Sequence, residues 1–105
     1  MADIQKQYGL FINGEFVPAG DGATFAAHNP ANGEELALFA EATKEDVDKA
    51  VKAARAALPA WSKTSPVERQ NLLLKIADII DANADHLALM ETLDNGKPIR
   101  ETKAA

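Results

Sequence analysis

The stretch "ETLDNGKP", residues 91 to 98, carries the side chains of this sequence whose types and spacing could do chemistry. Glu91 and Asp94 stand three apart, so two carboxylates fall on neighbouring positions of one helix, and a carboxylate pair is one route to general acid–base catalysis. Acids at that spacing near a helix end are more often solvated separately or used as caps, and no other residue in the stretch marks this pair as catalytic. Asp94 is the odder of the two. On a 3.6-residue period it shares a face with Leu87 and Met90, which places a carboxylate beside apolar neighbours. It also stands near a helix C-terminus, where the macrodipole favours cations over anions. Local groups offer one solution, with Asp94 accepting from backbone N–H groups beyond Asn95-Gly96 or pairing with Lys97. A bound cation offers another.

The remaining candidates are few. His28 and His86 have no second ligand at i+4 and no paired cluster, so they read as solvated or hydrogen-bonded side chains and not as metal ligands. The sequence contains no cysteine, which removes a thiol nucleophile, a disulfide framework and a thiolate metal site. The glycines at 9, 14, 20, 22, 33 and 96 never fall into a G-x-G-x-x-G pattern. With 26% charged residues and a net charge of −5 over 105 residues, an acidic surface without a basic stripe disfavours nucleic acid and anionic membranes as partners. No apolar run approaches about 18 residues, and "MADIQKQYG" has neither a basic n-region nor an apolar h-region, so the expected compartment is the cytoplasm.

These residues must be positioned by two halves of different period, which suggest a division into strands over 1–42 and a helical segment over 43–105. "LFINGEFV", residues 10 to 17, places apolar residues around Asn13-Gly14, the pair best suited to a type I′ turn, and predicts a β-hairpin. A loop at "PAGDG", a strand over Thr24 to Ala27, a turn at "HNPANGEE" and a strand over Leu36 to Ala40 follow. Thr43 and Asp46 then form a capping pattern, with Val47, Ala50, Val51, Ala54 and Leu58 on one stripe and Pro59 as the stop. Acid-before-base pairs, Glu45 to Lys49 and Asp48 to Lys52, each worth about 0.2 to 0.5 kcal/mol, mark a wet face. Trp61 reads as a core anchor beyond that break. Ser65, Pro66 and Glu68 supply a second capping box for a helix running to about Asp81. Asn83 marks a break before a third helix, Ala84 to Asp94, with Gly96 as its left-handed stop and Pro98 preventing continuation. Ile99 onward is ready to begin a further helix.

The two later helices are too apolar for one-sided packing. Leu72, Leu73, Leu74, Ile76, Ile79 and Ile80 spread over well over half the helical wheel, where a surface helix needs a stripe of roughly 100°. Three short strands and one surface helix cannot cover both. The fold class is therefore α+β, a hairpin and short strands followed by three helices, in a chain that reads as a fragment of a larger fold.

Four stretches in order, "LFINGEFV", "NPANGEEL", "KEDVDKAVKAARAA" and "ETLDNGKP", resemble the N-terminal segment of the NAD(P)-dependent aldehyde dehydrogenase superfamily, whose members oxidise aldehydes to carboxylic acids. The resemblance implies a place in a larger α/β fold, helices packing on a cofactor-binding domain that lies outside this chain, and a homo-oligomer. It implies thiolate attack on the aldehyde, hydride transfer to NAD or NADP, and thioester hydrolysis, with no catalytic or cofactor-binding residue among these 105, so that the chain alone is inactive. It also implies a monovalent cation, K+ or Na+, held by oxygens of Ala27, His28 and Asp94. The first two would serve through backbone carbonyls, as a hard cation prefers. A stand-alone α+β module with a structural or binding role is the alternative.

Overall fold

The computed structural model describes residues 4–104. Contacts sort them into two units that interleave along the chain, one of Gln5–Ala27 and Ala37–Lys63, the other of Ile4, His28–Leu36 and the residues from Thr64 onward. A division by period, 1–42 and 43–105, sorts residues by secondary structure and not by what they touch.

In the first unit, Asn13-Gly14 does what its chemistry requires. Asn13 takes φ 53° and Gly14 φ 81°, the two positive values of a type I′ turn. Strand β1 (Gln7–Tyr8) precedes the hairpin of β2 (Leu10–Ile12) and β3 (Glu15–Val17), which are paired antiparallel. Phe11 lies opposite Phe16 in an edge-to-face contact with centroids 4.9 Å apart, an arrangement worth about 0.5 to 1.5 kcal/mol beyond burial. Both rings are nevertheless exposed. Strands β4 (Thr24–His28) and β5 (Glu35–Ala40) join β1 in a three-stranded sheet of order β1-β5-β4. β1 runs parallel to β5, with Tyr8 stacked on Phe39 at 5.2 Å and Phe25 on the same ring at 5.7 Å.

Helix α1 (Lys44–Ser62) begins with the expected capping box. Thr43 Oγ1 accepts from the Asp46 N–H at 3.1 Å, and Asp46 Oδ2 accepts from the Thr43 N–H at 2.9 Å. The same Oδ2 also accepts from the Gly20 N–H at 2.9 Å, so one carboxylate ties the 18–22 loop to the start of the helix. Asp46 is 5% exposed. These two backbone donors hold its carboxyl below the ordinary aspartate range.

Pro59 does not end α1, which continues to Ser62. Proline removes one N–H and crowds the carbonyl four residues back, at a cost of about 3 kcal/mol or more in a helix interior. Here only one turn follows, and it finds other bonds. Ser62 Oγ donates to the Pro59 carbonyl at 2.9 Å, and the Lys63 N–H donates to the Ala60 carbonyl at 3.2 Å. Trp61, expected as a core anchor, is 47% exposed.

In the second unit, Asn29 organises the turn after β4. Its N–H donates to the Glu34 carbonyl at 2.8 Å, its carbonyl accepts from the Gly33 N–H at 2.7 Å, and its Oδ1 accepts from the Ala31 N–H at 2.9 Å. Helix α2 (Pro66–Ala82) starts with a reciprocal Ser65–Glu68 box and proline in the first turn. Helix α3 (Ala84–Asn95) follows Asn83 directly, and the short α4 (Ile99–Ala104) packs on α3. Thr102 Oγ1 donates to the Ile99 carbonyl at 3.0 Å, which leaves Thr92 as donor in the 3.1 Å contact between the two hydroxyls.

No residue of α2 is buried. The buried hydrophobic residues among those described are Ala19, Ala37 and Ala88. Leucines and isoleucines all around α2 face water, Leu73 at 68% exposure, as a wheel apolar on most sides demands when its neighbours are missing. Among the described residues no helix is long and apolar enough to cross a membrane.

The pair of hydrogen bonds accepted by Asp46 has a measurable consequence. Asp46→Ala is expected to lower the thermal midpoint of the intact protein by several degrees, while Asp48→Ala, which removes an exposed pair with Lys52 at 2.8 Å, leaves it unchanged. Because the folded carboxyl titrates below its unfolded value, its contribution is complete above the unfolded pKa of 3.8 and is lost as pH falls through the lowered folded value. Midpoints measured across that acid range should converge for wild type and Asp46→Ala.

Candidate functional site

The end of α3 is built by three consecutive residues. Gly96 takes φ 81° and donates its N–H to the Thr92 carbonyl at 2.9 Å, closing the helix in the left-handed conformation that glycine adopts without steric cost. Asn95 Oδ1 accepts from the Lys97 N–H at 2.8 Å, fixing the chain as it leaves the helix. The carboxylate of Asp94, just before them, has no hydrogen-bond or ion-pair partner among the described residues. The local solution expected for it therefore belongs to Asn95, whose shorter reach to the backbone two residues on is the usual Asx geometry.

Asp94 is exposed, which corrects the expectation of a carboxylate among apolar neighbours. The inner face of α3 is set by Ala88, 4% exposed, with Leu89, Thr92 and Leu93 half-buried, while Leu87, Glu91 and Asp94 lie on the open side. The periodicity relating Leu87 to Asp94 holds. On that face Leu87 and Asp94 are exposed and Met90 is half-buried.

Gly96 also brings two distant stretches together. A Cβ placed on it would lie 3.1 Å from Pro30 Cγ, closer than ordinary van der Waals contact, so the end of α3 sits directly against the Asn29-Pro30 turn. That turn follows His28, the last residue of β4, which is exposed. Of the expected oxygen donors, His28 and Asp94 thus belong to one unit and to segments in contact, and Ala27 is the residue preceding His28 in the strand. Among the described residues no group of three or more histidine, aspartate or glutamate side chains could hold a metal ion. The two expected donors that share a unit, the His28 carbonyl and the Asp94 carboxylate, both offer oxygen, the atom type a hard cation prefers.

Glu91 Oε1 meets Asn95 Nδ2 at 3.5 Å, the outer limit of a hydrogen bond, and both groups are exposed. His86 is exposed on α3. The residues that sequence reasoning missed are structural in character. Asn29 and Asn95 are signalled by the Asn-Pro and Asn-Gly dipeptides, whereas the Gly20–Asp46 bond spans 26 residues and has no local signal.

Strands and helices, two of them opened by reciprocal capping boxes, that among the described residues leave every large apolar side chain partly in water fit a segment of a larger α/β protein. Residues 16–105 match the model of the aldehyde dehydrogenase family, and the chain belongs to that family. An acetaldehyde dehydrogenase from Pseudomonas aeruginosa is 53% identical over 99 residues, covering 94% of this chain and 20% of that protein. The aldehyde dehydrogenase of Bacillus cereus, solved in complex with NAD+, superposes with a TM-score of 0.89 at 45% identity, covering 93% of this chain and 20% of its own. An NAD-dependent aldehyde dehydrogenase from Sinorhizobium meliloti gives a TM-score of 0.91 at 39% identity, over 96% of this chain and 21% of the other. The chain spans about a fifth of the length of the relatives it matches.

The Asn95 bond is testable on its own. Asn95→Ala is expected to lower stability by about 1 kcal/mol in urea unfolding, and Asn95→Asp, which keeps an acceptor for the Lys97 N–H, to recover most of that loss.

Proposed function

We propose that this chain is the leading segment of an NAD(P)+-dependent aldehyde dehydrogenase, an enzyme that oxidises aldehydes to carboxylic acids, and that it is inactive by itself. The observation that carries the reading is helix α2, which buries none of its residues in a chain matching 20% of its relatives' length. NAD(P)+ supplies a hydride acceptor when bound. The nucleophile must come from outside these residues, since a thiol is absent from all 105. What the segment contributes is scaffold: the apolar surfaces of α2 and the capped helix ends that orient α3. A cytoplasmic location and assembly into a homo-oligomer belong to the same proposal, supported by the acidic composition and by the family.

The segment also contributes part of a site for K+ or Na+, with the carbonyls of Ala27 and His28 and the carboxylate of Asp94 as ligands. An unengaged acid at the negative end of a helix favours that assignment, because a cation there offsets both the macrodipole and the like charge of Glu91. In the segment alone Asp94 is exposed, so the donor set is completed by groups outside the described residues.

Two measurements bear on these statements. Incubated with acetaldehyde and NAD+, the 105-residue chain should produce no NADH, and it should bind a fluorescent hydrophobic dye strongly. Aldehyde-dependent NADH formation by the chain alone would overturn the assignment of inactivity, and a cooperatively melting monomer with no dye binding would overturn the reading of α2. For the ion, the full-length enzyme is expected to melt higher in potassium or sodium than in choline at equal ionic strength, and Asp94→Ala to abolish that difference. Equal increments in wild type and Asp94→Ala would remove Asp94 from the site.

A further inference from the structure

We propose that Gly96 is a positioning residue for the Asp94 ion site. Seated against the Pro30 ring, it joins the end of α3 to the turn that follows His28 and so fixes the separation of the Asp94 carboxylate from the His28 carbonyl. This rests on the cation reading above and adds the element that aligns its two halves.

Each half is rigid by itself. The turn is held by the Asn29–Glu34, Gly33–Asn29, Ala31–Asn29 and Glu34–Asn32 hydrogen bonds, all between 2.7 and 2.9 Å. The helix end is held by the Gly96 N–H on the Thr92 carbonyl and by Asn95 Oδ1 on the Lys97 N–H. Asp94 is two residues from Gly96, and His28 is two residues from Pro30. The Gly96–Pro30 approach is where these short, stiff segments meet.

A side chain at 96 meets two separate obstacles. The left-handed φ of 81° disfavours any β-carbon, and that carbon would stand 3.1 Å from Pro30 Cγ and 3.9 Å from Pro30 Cβ. A pyrrolidine ring cannot swing aside as a flexible side chain would, so relief must come from moving the turn or the helix end by a few tenths of an ångström. Cation sites of oxygen donors discriminate by distance, and a shift of that size falls on the carboxylate-to-carbonyl spacing. Gly14, in the hairpin turn and outside both halves of the site, provides an internal control. It has the same φ of 81° and open space where a β-carbon would stand, so its substitution carries the backbone strain without the collision.

The experiment uses the full-length enzyme and reads the ion-specific increment, the difference in Tm between potassium or sodium and choline at equal ionic strength. Wild type is expected to show the increment. Gly14→Ala should lower Tm in every buffer and keep the increment whole, whereas Gly96→Ala should cut the increment by more than half. Gly96→Ala combined with Pro30→Ala, which removes the ring carbon at 3.1 Å, should restore it. An unaltered increment in Gly96→Ala overturns this inference and leaves the cation reading standing. No increment in wild type overturns both. If Gly96→Ala does not fold, Pro30→Ala alone decides, since opening the contact without strain at residue 96 should reduce the increment, and an unchanged value refutes the positioning role.

Discussion

Helix α2 sets the terms for everything else in this chain. Fully burying a leucine or isoleucine contributes about 1.5 to 3 kcal/mol, and Leu72, Leu73, Leu74, Ile76, Ile79 and Ile80 all stand exposed on its surface. The devices that shape the chain locally are smaller. A helix cap contributes about 1 kcal/mol, an exposed ion pair such as Asp48–Lys52 less, and the three buried alanines bring little apolar area. Caps, turns and the hairpin therefore specify where the chain goes, while the larger part of its stabilisation lies in contacts that these residues cannot make with one another.

Two aspartates show how that arrangement distributes polar groups. Asp46 is buried and satisfied by backbone donors from two segments, Thr43 beside it and Gly20 far back in the sequence. It is internal carpentry, finished within the unit. Asp94 is exposed and unengaged among the described residues, at a helix end whose dipole opposes its charge. Its neighbours Asn95 and Gly96 take up every local role that an aspartate at that position could have filled.

The legible parts of the fold were those written in local chemistry. Asn13-Gly14, the Thr43 and Ser65 capping boxes, the Asn83 break and the Gly96 stop each act within a few residues, and the elements they bound appear in place. β1 was unreadable because two residues carry no period, and its partner lies far along the chain. Pro59 signals a stop in the sequence because its penalty is local, whereas continuation for a last turn depends on bonds such as Ser62 to the Pro59 carbonyl. Trp61 and Asp94 were expected to be covered because apolar spacing reports which residues share a face, not whether that face has a neighbour. For the proposed ion site, the ligands are what the family's pattern implies, whereas the meeting of Pro30 with Gly96 has no signal in the sequence, since nothing in either stretch points to the other.

The short parallel pairing of β1 with β5 bears on the order of events when the chain forms. Joining Gln7–Tyr8 to Leu38–Phe39 closes a loop of about 30 residues, with an entropic cost near 3 kcal/mol, and only a couple of strand bonds and one ring stack are gained in return. The hairpin, by contrast, closes across two residues. Gln7–Tyr8 thus settles late, after β5 exists to receive it, and until then that strand stays available to chaperones or to a wrong strand edge.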